Sequence, residues 1–279
     1  MQSHYLPAKL TTNYVEPAML YCSILDPSAL VIFVHGFGGS AAGTWPDFHT
    51  LLTQTSNHPI KFDAIFYQYD GKFTQANNSA ASFRNFLDHF LANPFAVLKP
   101  LLPSGSNRTH CTYKRILLVA HSLGAVVVRR ALLDIATYSA ASPRPWLMDT
   151  RLVLFAPAHK GAFAASIAQA ILSSSRWFLG QLLGRAALYN TPLLSDLLPS
   201  SAVLRSLEDE TKEVVESKKA SCPYAIAYQV IWAEHEKVVQ NDKFVADPPA
   251  TLELGRDHMT VCKPKTSSDP VFQHVLHAL

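Results

Sequence analysis

Two runs of the chain, 30–34 and 116–119, are unbroken branched or aromatic apolar residues, the pattern of a strand buried on both faces. Shorter or more mixed runs at 62–69, 151–155, 224–232 and, more weakly, 250–254 predict further strands. Between them the period changes. Residues 45–55 predict a helix, and 78–91 place Phe83, Phe86, Leu87 and Phe90 at helical spacing. Residues 125–133 form an apolar helix given a polar side by Arg129, Arg130 and Asp134, and 270–279 predict a closing helix. Residues 1–28 suggest no more than an edge strand or hairpin. Strand and helix alternate through most of the chain, which implies an α/β fold with a mainly parallel central sheet and helices on both faces. We read residues 1–279 as one such domain.

Residues 163–222 break the alternation. They hold Ile167, Ile171, Leu172, Trp177, Phe178, Leu179, Leu182, Leu183 and Leu188, with few charges before Glu208. An inserted helical cap or lid over an apolar pocket fits this composition. Ordinary core helices on the sheet, or an amphipathic membrane-facing surface, are the competing readings. Residues 208–219 predict a charged, solvated helix.

Composition narrows the classes. The chain is 48% hydrophobic and 16% charged with a net charge of +3, and its basic residues are scattered, so it lacks the footprint of a nucleic-acid binder. Cys22, Cys111, Cys222 and Cys262 lie far apart without a Cys-x-x-Cys, which argues against zinc or a disulfide framework and for free thiols in a reducing, cytoplasmic setting. The first residues show no signal-peptide pattern, and no stretch is long and apolar enough to span a membrane. No metal or organic cofactor is implied.

The chemistry concentrates where strand 116–119 meets helix 125–133, at Ala120-His121-Ser122-Leu123-Gly124. Small residues on both sides of Ser122 permit a sharp strand-to-helix turn that exposes the hydroxyl beside the N–H of Leu123. A serine capping a helix is the plainer alternative. Strand 30–34 runs into His35-Gly36-Phe37-Gly38-Gly39, where glycines let backbone approach a reacting carbonyl. The N–H groups of Phe37 and Leu123 are the expected oxyanion donors. A phosphate loop is disfavoured, since neither Gly-x-Gly-x-x-Gly nor Gly-Lys-Ser/Thr occurs there.

A serine needs an imidazole to take its proton and a carboxylate to hold that imidazole. In chain order Ser, acid, His, the set is Ser122, Glu236 and His258, each after a predicted strand. Among twelve histidines, His35 and His121 read as loop supports, His274 and His277 belong to the closing helix, and His159 lines the site at most. Glu234 and Asp242 compete with Glu236 for the acid. Glu236 is favoured because the apolar pair in Lys237-Val238-Val239 would anchor its loop.

Together with Ala156-Pro-Ala-His-Lys-Gly161 and Asp257-His-Met-Thr-Val-Cys-Lys-Pro264, these pieces resemble the lipase-like α/β-hydrolases over about residues 28–279. The nearest look is to the group that includes the SERAC1-like and PGAP1-like serine esterases. The resemblance implies Ser122 as nucleophile, His258 as base and Glu236 as acid, with Ala120 where Gly is usual and Glu where Asp is commoner. It implies a serine hydrolase acting on a carboxylic ester with an acyl or lipid-like group. An amidase, thioesterase or acyltransferase would use the same triad. A non-catalytic or conditionally active module in a larger signalling or defence protein is a further reading. Peripheral membrane contact and oligomerisation stay open.

Overall fold

The computed structural model describes residues 5–12, 15–23, 26–54, 60–72, 74–102, 106, 108–138, 144–163, 192–218 and 222–279. The strands are β1 (Tyr5–Thr12), β2 (Val15–Ser23), β3 (Ala29–Val34), β4 (Phe62–Tyr67), β5 (Arg115–His121), β6 (Thr150–Phe155), β7 (Gln229–His235) and β8 (Thr251–Asp257). The helices are α1 (Ala41–Thr44), α2 (Phe48–Gln54), α3 (Ala76–Ala92), α4 (Pro94–Leu98), α5 (Leu123–Tyr138), α6 (Pro145–Met148), α7 (Pro192–Asp196), α8 (Ala202–Lys218) and α9 (Pro270–Ala278).

Among the described residues, eight strands join one sheet in the order β1-β2-β4-β3-β5-β6-β7-β8. From β4 to β8 every pairing is parallel, while β1 and β2 form an antiparallel hairpin on the β4 edge. Residues of β3 and β4 and nearly all of β5 are buried, which is why these runs carry no alternation: both faces meet helices. On one face α3 and α8 flank α5. On the other, α2 meets α9 through Phe48 and Phe272, with Phe33 and Trp45 beneath. Among the described residues, no helix is long and apolar enough to cross a membrane.

Three local expectations need correction. The helix expected over 45–55 is split: α1 ends before Trp45, and α2 begins only at Phe48, because Pro46 has no N–H to continue a helix. Trp45 drops into the core at the break, fully buried. The strand expected over 224–232 starts only at Gln229, since 224–227 turn to meet polar partners. There Ala225 O accepts from the Arg129 guanidinium, and Ala227 N–H donates to Asp247. The charged helix expected over 208–219 starts earlier, at Ala202.

Of the segment 163–222, residues 164–191 and 219–221 lie outside the described residues. Within the rest, α8 buries Leu204, Leu207 and Thr211 and joins α5 through an Arg130–Glu210 ion pair of 2.6 Å. This part is a helix of the sheet-covering layer.

Candidate active site

The carboxyl ends of parallel strands β3, β5, β6, β7 and β8 all face one side, the side where open α/β sheets hold ligands. At the end of β5 the chain turns into α5 at Ser122, whose φ of 53° is unusual for a residue with a side chain. Ser122 N–H donates to Phe155 O (3.0 Å), and Ser122 O accepts from Ala125 and Ala158 (3.1 and 3.2 Å). The turn is therefore held from both β6 and α5. A methyl group on Gly124 would sit 2.6 Å from the carbonyl oxygens of Val34 and His35, and one on Gly36 would sit 2.8 Å from Ser122 Cβ. Those two glycines let the loop after β3 lie directly against the elbow.

That loop is braced from β4. The Tyr69 hydroxyl donates to His35 O (2.8 Å), the Tyr69 N–H donates to His35 Nε2 (3.4 Å), and the two rings stack 4.3 Å apart. His35 Nε2 is thus an acceptor, so Nδ1 carries the proton and donates to Gly36 O (2.9 Å). Burial pushes the His35 imidazole down to about 4, which keeps it neutral. Gly38 N–H is fastened to Gly71 O (3.1 Å). Among the described residues, the N–H groups of Phe37 and Leu123 have no acceptor. Leu123 is the first residue of α5, where the helix dipole favours negative charge.

The structure brings Ser122, His258 and Glu236 together. His258 Nε2 is 3.1 Å from Ser122 Oγ, and His258 Nδ1 is 3.0 Å from Glu236 Oε2. The side chains of His258 and Glu236 are 7% and 2% exposed, so the pair sits in a low-dielectric environment. The other carboxylate oxygen of Glu236 accepts from the N–H groups of Val238 (2.8 Å) and Val239 (3.1 Å). Both valines are buried, and Phe163 N–H donates to Val238 O (2.9 Å). The carboxylate is thereby fixed with one oxygen toward His258.

Of the competing residues, Glu234 and His274 have other partners and Asp242 lies elsewhere. Glu234 accepts from Gly255 N–H (2.7 Å) on the exposed side of β7. Asp242 lies in the loop near His159, which packs on Phe244 at 4.3 Å. His274 is held between Glu253 (2.7 Å) and Gln229 (2.8 Å). His121 does more than support its own loop: its ring reaches across to the main chain of His258. Its place directly before Ser122 is the only trace of this in the sequence.

Residues 31–263 match the alpha/beta hydrolase family, and the chain belongs to it. Its fold is similar to that of carboxyl esterase 2 from the mycorrhizal fungus Tuber melanosporum, at 14% identity over 99% of this chain and 84% of that one, with a TM-score of 0.55. It is also similar to a peroxisomal alpha-beta-hydrolase from Saccharomyces cerevisiae, at 11% identity, 94% and 80% coverage and a TM-score of 0.53. Naproxen esterase from Bacillus subtilis gives 13% identity, 98% and 90% coverage and a TM-score of 0.52. At these identities the likeness is one of fold. No curated protein matches the chain by sequence.

Proposed function

We propose that this protein is a serine hydrolase of carboxylic esters, with Ser122 as nucleophile, His258 as general base and acid, and Glu236 as the orienting carboxylate. The observation that carries the reading is the continuous Glu236–His258–Ser122 hydrogen-bond chain, with links of 3.0 and 3.1 Å. Ser122 Oγ attacks the ester carbonyl as its proton passes to His258 Nε2. Glu236 holds the proton on His258 Nδ1 and stabilises the imidazolium. The N–H groups of Phe37 and Leu123 receive the oxyanion, a contribution of about 10²–10³ in turnover per donor. The alkoxy group leaves with the proton from His258, and water then releases the acid by the same route. Two esterases among the structures of similar fold agree with an ester substrate.

An acyl or lipid-like group is our substrate class, acted on by a single hydrolase domain. The motif resemblance to SERAC1-like and PGAP1-like esterases supports this choice. Cys22, Cys111, Cys222 and Cys262 are all buried and lie far apart in sequence, which supports a reducing setting such as the cytoplasm.

Labelling with a fluorophosphonate probe tests the reading, since the probe reacts with activated serines. We expect wild type to label and Ser122→Ala and His258→Ala not to. p-Nitrophenyl esters of increasing chain length, run beside the matching anilides and thioesters, then identify the bond cleaved. A folded wild-type protein that neither labels nor turns over any ester would defeat the proposal.

A further inference from the structure

The residue before the nucleophile is bonded to the base. His121 is the last residue of β5 and is only 5% exposed. Its Nε2 lies 2.9 Å from the main-chain oxygen of His258, and the two imidazole rings sit 4.8 Å apart at 46°. A carbonyl only accepts, so His121 Nε2 carries the proton and donates. Consecutive residues of one strand end therefore grip His258 at two points. Ser122 Oγ meets the ring and His121 meets the backbone. The turn that bears His258 is closed by its own bonds, with Asp257 Oδ1 accepting from the N–H groups of Met259 (3.0 Å) and Thr260 (2.9 Å). His121 ties that turn across the site to β5.

We propose that His121 is a positioning residue, which sets the placement of the His258 ring against Ser122 by holding the His258 carbonyl. The proposal rests on the serine-hydrolase reading and deepens it. Geometry makes the effect large: a reacting group displaced by about 1 Å can cost about 10²-fold in rate. Electrostatics agrees. Burial, and then a charge on His258, push the His121 imidazole well below its ordinary range. A neutral ring next to the base can donate its hydrogen bond without opposing the imidazolium that forms during attack.

Three variants separate positioning from filling. His121→Gln puts an amide N–H where Nε2 stands, His121→Asn has the same chemistry but falls short of the carbonyl, and His121→Leu fills the space with no donor. The readouts are kcat and KM on p-nitrophenyl butyrate, the rate of fluorophosphonate labelling, and the thermal midpoint. We expect His121→Gln to stay within about threefold of wild type in kcat. His121→Asn and His121→Leu should lose about 10- to 100-fold in kcat and labelling rate, with KM little changed. His121→Asn and His121→Leu as fast as His121→Gln would overturn the proposal. So would a rate loss that follows the thermal midpoint and leaves His121→Gln as slow as His121→Leu. Wild type that fails to label would remove the hydrolase reading and this role with it, whereas labelled wild type beside unaffected variants removes this role alone.

Discussion

Gly124 has no side chain because the carbonyls of Val34 and His35 occupy the space one would need. The Cβ of an alanine at position 124 would lie 2.6 Å from two carbonyl oxygens of the strand-to-loop junction at Val34 and His35, and backbone yields far less readily than a side chain. Gly124→Ala should destabilise the fold by about 1–3 kcal/mol. It should also lower turnover, because the atoms it pushes lead into both the Phe37 loop and Ser122. Gly255→Ala is the control. Its added methyl meets nothing within 4 Å, and only its φ of 68° opposes substitution, so it should cost about 1–2 kcal/mol and leave turnover alone. Urea midpoints and kcat on the same two variants check this. Glu236→Gln should fold normally, because Gln keeps a carbonyl oxygen for the Val238 and Val239 amides. Its turnover should fall by about 10⁴, as the imidazole loses the partner that fixes its tautomer. A fall of less than tenfold would send the acid assignment elsewhere. Much of this was legible in the sequence, because the elbow is local: Ala120, Ser122 and Gly124 are two residues apart and their chemistry needs that spacing. The bond from His121 to His258 joins residues 137 positions apart, and no local pattern encodes it.

At the scale of elements, the apolar runs that became β3, β5 and β6 were readable because strands buried on both faces admit almost nothing else. The misread boundaries share a different cause, which is polar bonding between distant segments. Tyr224–Ala227 has the composition of a strand, yet Ala225 and Ala227 give their backbone groups to Arg129 and Asp247. These two form a buried ion pair with side chains 1% and 3% exposed, and it ties α5 to the loop before β8. Helix α5 starts at the elbow, so the pair anchors the far side of the element that carries the oxyanion donor. Asp247→Asn keeps an acceptor for Ala227 but strands the Arg129 charge in the interior. We expect it to lower the unfolding free energy by about 3–5 kcal/mol. Arg129→Met combined with Asp247→Asn should recover part of that loss, because no buried charge is then left over. A loss below about 1 kcal/mol in the single variant would mean that water or rearrangement compensates the guanidinium.

The whole molecule carries a property that none of these elements shows alone, a built-in sensitivity to acid. His35, His121 and His159 are nearly inaccessible, and burial is the largest cause lowering each of them. For His121 and His159 neighbouring charge adds to it, from His258 in one case and from Arg129 and Lys160 in the other. In the unfolded chain each protonates near its ordinary value of about 6.5. In the folded protein His35 resists until about 4. Between those limits the unfolded state binds more protons than the native state, so stability falls as pH falls. The contribution of a neutral buried His35 is complete above pH 6.5 and is lost toward pH 4, a change of about 3 kcal/mol. The other two act in the same direction and begin in the same window. Urea unfolding at pH 7.5, 6, 5 and 4.5 should therefore show a midpoint that declines steadily below pH 6.5. His35→Asn sharpens the test, because its amide can donate to Gly36 O as Nδ1 does, yet it does not titrate. That variant should lose part of the decline, starting from a lower midpoint at neutral pH because the Tyr69 stacking and the Nε2 acceptor are gone. An unchanged slope would show that the acid sensitivity of this fold comes from groups other than the histidine that braces the Phe37 loop.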